Sequence, residues 1–231
     1  MPRPHRVVPA GHVYHVLNRA CERRTIFRNA SEYWAFIDLL EAAQTRIPMR
    51  ICAYAVMPNH WHLVVWPEAD NAVSAYIHWV TTMHSLQFRR LRGDVGYGHV
   101  YQDRFHCFPV ETASYYTQVI RYVEANALRA NLVARAENWP WSSACERIRG
   151  RRLIVPGPIG EPDNWLQLVN TVPAEDELTS LRASAGSGRP YGSLDWVTRT
   201  AGELGLEHQL RPRGRPRKIG TLLEASKMRL I

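Results

Sequence analysis

The chain has 231 residues, of which 45% are hydrophobic and 22% charged, the composition of an ordinary globular protein with room for one domain and an appendage. No apolar run approaches the ~20 residues of a membrane span and no secretory leader is expected, while Cys21, Cys52, Cys107 and Cys145 lie too far apart for a zinc knuckle or disulfide frame, so the reading is a cytoplasmic protein with reduced thiols and no membrane partner. The net charge is +8, and between His208 and Ile231 seven basic residues face one acidic, so most of the charge belongs to a tail and the expected partner is a polyanion.

Residues 12–18 (HVYHVLN) read as a strand, and an amphipathic helix from Ser31 to about Arg46 follows, with Ser31 as N-cap and Trp34, Ile37, Leu40 and Ala43 at helical spacing. Residues 49–57 and 60–66 predict two strands joined at Pro58-Asn59, a hairpin. Residues 71–92 predict a helix with Val73, Ile77, Val80 and His84 on one side, and a Gly-rich loop leads to a fourth strand at 104–110. A long helix starts near Thr112 and runs to about Leu128. The order β-α-β-β-α-β plus a helix predicts an α+β fold of the ferredoxin-like split βαβ type, an antiparallel sheet with helices on one face. This domain spans 1–152; a Pro/Gly-rich linker spans 153–173, a small helical extension 174–208 (helices near 174–184 and 194–204), and a basic tail 209–231. Trp139, Trp141 and Trp165 are expected in the core.

Two constellations carry chemistry. His60-Trp61-His62 lies on a strand, where residues i and i+2 share a face about 6.6 Å apart, so the two imidazoles can address one metal ion; with ten histidines in the chain, a chance pair is the alternative. On the last long helix, Tyr116, Val119, Ile120, Val123 and Ala127 form an apolar face. Tyr115, Gln118, Tyr122, Asn126 and Arg129 form a second stripe of hydrogen-bonding groups where a solvated face would carry Glu and Lys. Tyr122 and Asn126, at i and i+4, sit one turn apart and can serve one site, whereas Tyr115 lies about 16 Å from Asn126 along the axis. A half-buried amphipathic tyrosine is the alternative for Tyr122.

MPNHWHLVV, then VYQDRF, YYTQVIRYVEANALRANLV and WPWSSA, resembles the single-tyrosine HUH transposases (His, bulky hydrophobe, His), and more narrowly the REP-associated tyrosine transposases. The resemblance covers about residues 5–147 and extends into GRPYGSLDW and RPRGRPRK; Ala127 departs from it where relatives have Pro. It implies a transesterase that cuts single-stranded DNA beside hairpins, with Tyr122 as nucleophile and a 5′-phosphotyrosine intermediate. His60, His62 and Asn126 would hold a divalent cation, Mg²⁺ or Mn²⁺; imidazoles alone would suit zinc as well. It also implies a monomer, the state expected of the REP-associated group, whereas dimeric relatives exchange the tyrosine helix between subunits. Arg104, Arg121 and Arg129 neighbour the implied site and are expected at DNA, with Tyr97 or Tyr101 free to stack on a base. Arg211, Arg213, Arg215, Arg217 and Lys218 form an AT-hook-like core that either enters the minor groove of AT-rich duplex or binds any nucleic acid through its charge. A water-using metal nuclease and a non-catalytic, sequence-specific DNA-binding protein are the two rival functions.

Overall fold

The computed structural model describes residues 7–93, 98–150, 152–171 and 173–211. Arg213, Arg215, Arg217, Lys218 and Tyr97, all singled out above, lie outside the described residues. The elements that build the site are β1 (Val13–Arg19), α1 (Ala30–Gln44), β2 (Met49–Met57), β3 (His60–Pro67), α2 (Ala72–Arg92), β4 (His106–Val110) and α3 (Ser114–Glu124). The strands form one antiparallel sheet in the order β2-β3-β1-β4, the ferredoxin-like arrangement expected.

The two crossover helices, α1 and α2, share one face of the sheet with Tyr14, Val16, Val56, Trp61, Leu63 and Val65. Helices are not confined to that face. The strands are apolar on both sides, and Val13, Cys52, Ala53, Ala55, Val64 and Phe108 meet α3 on the other. β2 supplies both cores by alternation, and a one-residue irregularity at Cys52, between the pairs Ile51–Val65 and Ala53–Val64, puts Cys52 and Ala53 together in the second core.

The cap of α1 differs from the expectation. Asn29 is the N-cap and accepts from the Glu32 N–H at 3.1 Å, while Glu32 reaches back to the Arg28 N–H at 2.8 Å. Ser31 lies inside the helix and donates to the Asn29 side chain. The stronger reciprocal cap wins, and with it Trp34 stays exposed while Tyr33, Phe36, Ile37, Leu40 and Ala43 are buried.

The helix expected from Thr112 to Leu128 is two segments, α3 and α4 (Asn126–Arg129), separated at Ala125, whose ψ of 3° leaves the helical range. There the Ala125 N–H is shared between the Arg121 and Val123 carbonyls, which tightens the last turn of α3. Beyond it come α5 (Ser143–Arg149), α6 (Trp165–Asn170), α7 (Glu175–Ser187) and α8 (Leu194–Glu203). The Pro/Gly-rich stretch thus contains a helix, and Trp165 and Val169 of α6, Leu181 of α7 and Tyr191 are all buried in the second core. Gly157 passes so close over the Tyr116 hydroxyl that a Cβ would overlap it. Both outer strands are flanked by this later chain: Ile154 bridges Ile51 on β2, and Tyr191 bridges Val110 on β4.

Trp61 is wholly buried, and its indole N–H donates to the Tyr101 oxygen at 3.1 Å. Because an indole can only donate, the Tyr101 hydroxyl is free to donate onward to His84 Nδ1 at 2.7 Å. Tyr101 is therefore a buried link in the core and does not stack on a base. His84 sits among Phe27, Phe36 and Phe88, and burial pushes its pKa down to about 3 from an ordinary 6.5. Between those values the unfolded chain takes up a proton that the folded chain refuses, so stability falls as pH drops below 6.5. Urea unfolding at pH 7 and pH 5 is expected to show a loss of about 2 kcal/mol from this residue alone. His84→Gln should be less stable at pH 7 and lose about that much less on acidification; equal losses in both proteins would refute the assignment.

Candidate active site

The alternation of β3 that sends Trp61 into the first core turns His60 and His62 to the opposite face, their ring centroids 5.0 Å apart. Each imidazole has one nitrogen already engaged. The Asn59 amide nitrogen donates to the Arg23 carbonyl at 3.0 Å, which turns its oxygen toward His60 Nδ1 at 2.6 Å. That oxygen can only accept, so the His60 proton sits on Nδ1 and Nε2 presents a bare lone pair. His62 Nδ1 lies 2.9 Å from His15 Nε2, with the two rings stacked at 5.1 Å. When His15 accepts, His62 Nε2 is bare as well.

All three imidazoles are neutral at neutral pH. Burial, with Arg19 and Arg129 nearby, lowers His60 to about 4, and burial with Arg129 lowers His15 to about 3. His62 is held well below its usual value by burial and by the neighbouring His60 and His15.

Tyr122 comes to this pair from α3. Its ring centroid is 5.9 Å from that of His62 and 6.1 Å from that of His15. The Arg129 guanidinium lies 4.0 Å over the Tyr122 ring and donates to the Tyr122 carbonyl at 2.8 Å, which fixes both side chains across the bend at Ala125. Asn126 opens α4; it is buried, and its amide nitrogen has no partner. His60, His62, Tyr122, Asn126 and Arg129 all line one cleft of about 480 Å³, together with Arg19, Gln102, His106 and, from α7, Arg182. Tyr115 is not there: it packs edge-on against Tyr191.

Three other expected residues lie outside the cleft. The Arg121 guanidinium is taken up by the Leu168 and Thr171 carbonyls at 2.8 and 2.7 Å, where it fastens α6. Arg104 is exposed on a separate groove of about 870 Å³ beside α2, which shares Gln102 with the cleft. Arg211 is exposed at the end of the described chain. Sequence reasoning missed Asn59, His15, Arg19 and Arg182. The first two were open to detection, Asn59 as a turn amide beside a histidine and His15 as a polar residue in mid-strand between Tyr14 and Val16.

The bend is anchored from outside the cleft by Glu124, which is fully buried. Its carboxylate accepts from Ser143 Oγ at 2.6 Å, Arg147 Nε at 2.8 Å and Trp165 Nε1 at 2.7 Å. Burial opposes the charge on Arg147, but Glu124 and Glu161 beside it raise its pKa above the ordinary value.

A family model described as "Transposase IS200 like" matches residues 10–126, just over half of the chain and ending on Asn126. The solved structure of a REP-associated tyrosine transposase bound to a REP hairpin is similar at 17% identity over 71% of this chain and 95% of that one, with a TM-score of 0.52. A candidate transposase from Deinococcus radiodurans is similar at 14% identity over 54% of this chain and 96% of that one, with a TM-score of 0.36. A comparison with curated proteins returns no match.

Removing one partner of a buried ion pair leaves the other charge uncompensated, at a cost of about 3 kcal/mol or more, whereas an exposed pair contributes between about zero and 1 kcal/mol. Glu124→Gln leaves Arg147 with Glu161 still beside it at 2.5 Å, so it is expected to lower stability by about 1–3 kcal/mol, and Asp38→Asn, which breaks an exposed pair with Arg152, by under ~1 kcal/mol. Denaturant titration of the two variants checks the ranking.

Proposed function

The chain belongs to the IS200-like transposase family, and from that premise we propose that it is a single-strand DNA transesterase in which Tyr122 is the nucleophile. The observation that carries the reading is the meeting of Tyr122 with the His60–His62 pair in one cleft of one chain. Tyr122 Oη attacks the phosphorus of a scissile phosphodiester, a phosphotyrosine bond forms, and the bond to the 3′ oxygen breaks, leaving a free 3′-OH. The phenol loses its proton and the departing oxygen gains one. Because the new link is itself a phosphodiester, a 3′-OH can reverse the attack and join strands without a nucleotide cofactor.

His60, His62 and Asn126 suit a divalent cation. Both imidazoles are neutral, Nε2 of His60 is bare, and the buried Asn126 amide has an unsatisfied end that a half-turn exchanges for its oxygen. Among the described residues no group of three His, Cys, Asp or Glu side chains is placed to hold a metal; in this proposal the Asn126 amide is the third protein donor. The set favours Mg²⁺ or Mn²⁺. When bound, the ion would polarise the scissile phosphate and orient the leaving oxygen. The residues of the chain do the rest: Arg129 holds Tyr122 against the pair, and Asn59 and His15 hold the imidazoles.

The substrate in this proposal is single-stranded DNA beside a hairpin, supported by the family and by the hairpin bound to the similar transposase. In this proposal the protein acts as a monomer, a reading supported by the nearness of Tyr122 to the histidines of the same chain. The tail from Arg211 to Lys218 adds contacts to duplex DNA.

Incubation with hairpin oligonucleotides and Mn²⁺ is expected to give a covalent protein–DNA adduct at Tyr122, and chelation should abolish it. Tyr122→Phe should lose cleavage and adduct together, with stability unchanged, while Tyr115→Phe and Tyr116→Phe keep both. His60→Ala or His62→Ala should slow cleavage on the order of a hundredfold or more, with hairpin binding within a few-fold. Cleavage by Tyr122→Phe without an adduct would make the protein a water-using nuclease, and binding without cleavage by the wild type would make it a DNA-binding protein.

Truncation before Arg211 removes five cations up to Lys218. Duplex affinity should fall, and the log–log salt slope should drop by about 0.9 for each phosphate that the shortened chain no longer neutralises. A larger drop in affinity on AT-rich than on GC-rich duplex supports minor-groove entry; equal drops mean a generic polybasic tail.

A further inference from the structure

The cleft has a wall that the family match does not include. Arg182, Ala185 and Gly186 of α7 line it together with His60, His62 and Tyr122, although the match ends at Asn126. The helix is firmly placed. Leu181 and Ser184 are buried, Tyr191 just beyond pairs with β4 through the Pro109 carbonyl and the Glu111 N–H at 2.9 Å each, and the Tyr191 hydroxyl donates to Gln118 of α3 at 2.7 Å.

Three arginines from three elements converge on this cleft: Arg19 from β1, Arg129 from α4 and Arg182 from α7. No carboxylate is among the described residues that line it. Burial lowers the Arg129 pKa; Tyr122 opposes that shift, and Arg182, a like charge, adds to it as the smallest of the three effects. Its own partner, Glu175 at 3.3 Å, belongs to an exposed pair that holds little. Like charges gathered at a cleft without a counter-charge favour an anionic ligand, and an arginine fork matches the two free oxygens of a phosphodiester.

We infer that α7 forms part of the substrate cleft and that Arg182, with Arg129 and Arg19, seats a phosphodiester of the single strand adjacent to the one Tyr122 attacks. This rests on the transesterase reading above for the identity of the strand. It makes the C-terminal extension a part of the substrate site, with Arg182 as a binding residue in it.

The test uses the full chain carrying Tyr122→Phe, so that binding is read without cleavage, and a fluorescent 20-nucleotide single strand as probe. Adding Arg182→Gln should weaken binding roughly five- to twentyfold near 0.1 M salt and lower the salt slope by about 0.7, the value for one single-strand phosphate. Arg182→Lys should keep the slope, because the charge stays. Arg189→Gln, in the same extension but outside the cleft, is the control and should match the parent. In the cleaving protein, Arg182→Gln should raise KM more than it lowers kcat. Unchanged affinity and slope in Arg182→Gln would overturn the inference while leaving the transesterase reading intact, as would failure of the parent to bind the strand. If the wild type forms no adduct at Tyr122, yet Arg182→Gln still lowers strand affinity and slope, the transesterase reading falls and the phosphate seat stands.

Discussion

The burial of Trp61 decides which way its two neighbours face. The indole is one of the largest wholly buried side chains and is tied by its N–H to Tyr101. Burying a side chain of that size removes 150–250 Å² from water, about 4–6 kcal/mol at ~25 cal/mol per Å². A strand slip of one residue would turn this ring toward α3 and bring both imidazoles into the apolar layer beneath α1 and α2. The histidines face the cleft because the tryptophan, a core residue, cannot.

The cleft is assembled from parts fixed elsewhere. Asn59 belongs to the turn between β2 and β3, His15 to the neighbouring strand, and Glu124 to the side of α3 that looks away from the cleft toward α5 and α6. None of the three lines the cleft itself: Asn59 and His15 hold the imidazoles, and Glu124 ties α3 to the later helices. Such outer supports keep a polar site in one arrangement before substrate arrives, which is where much of the advantage of a folded site over free side chains lies.

The fold was largely legible because the strands are short apolar runs bounded by turn residues, the helices carry a period-3.6 pattern, and the βαββαβ order admits few topologies. The second helical layer was harder to see, since strands buried on both sides show no alternation that reveals a second partner. The His60–His62 pair and the Tyr122–Asn126 stripe were readable because they lie within single elements, where spacing translates directly into direction. Arg121 was misplaced because a helical phase gives the bearing of a side chain and not what meets it; the carbonyls that occupy it come from a segment some fifty residues later. Arg182 reaches the cleft only through tertiary contacts, and no local pattern encodes those.

Both outer strands of the sheet are bridged by later chain among the described residues. The β2 side is lined by Ile154 and by Trp141, whose carbonyl accepts the Val56 N–H, and the β4 side is lined by Tyr191. Open edges are where sheets of separate molecules join. While the chain is being made, β4 stays open until residue 191 has followed it, so for some eighty residues of synthesis the unfinished sheet is able to pair with another strand. The later segment that closes it therefore acts as a guard on solubility, and a chain broken in that interval would carry the complete family-matched region together with an adhesive flank.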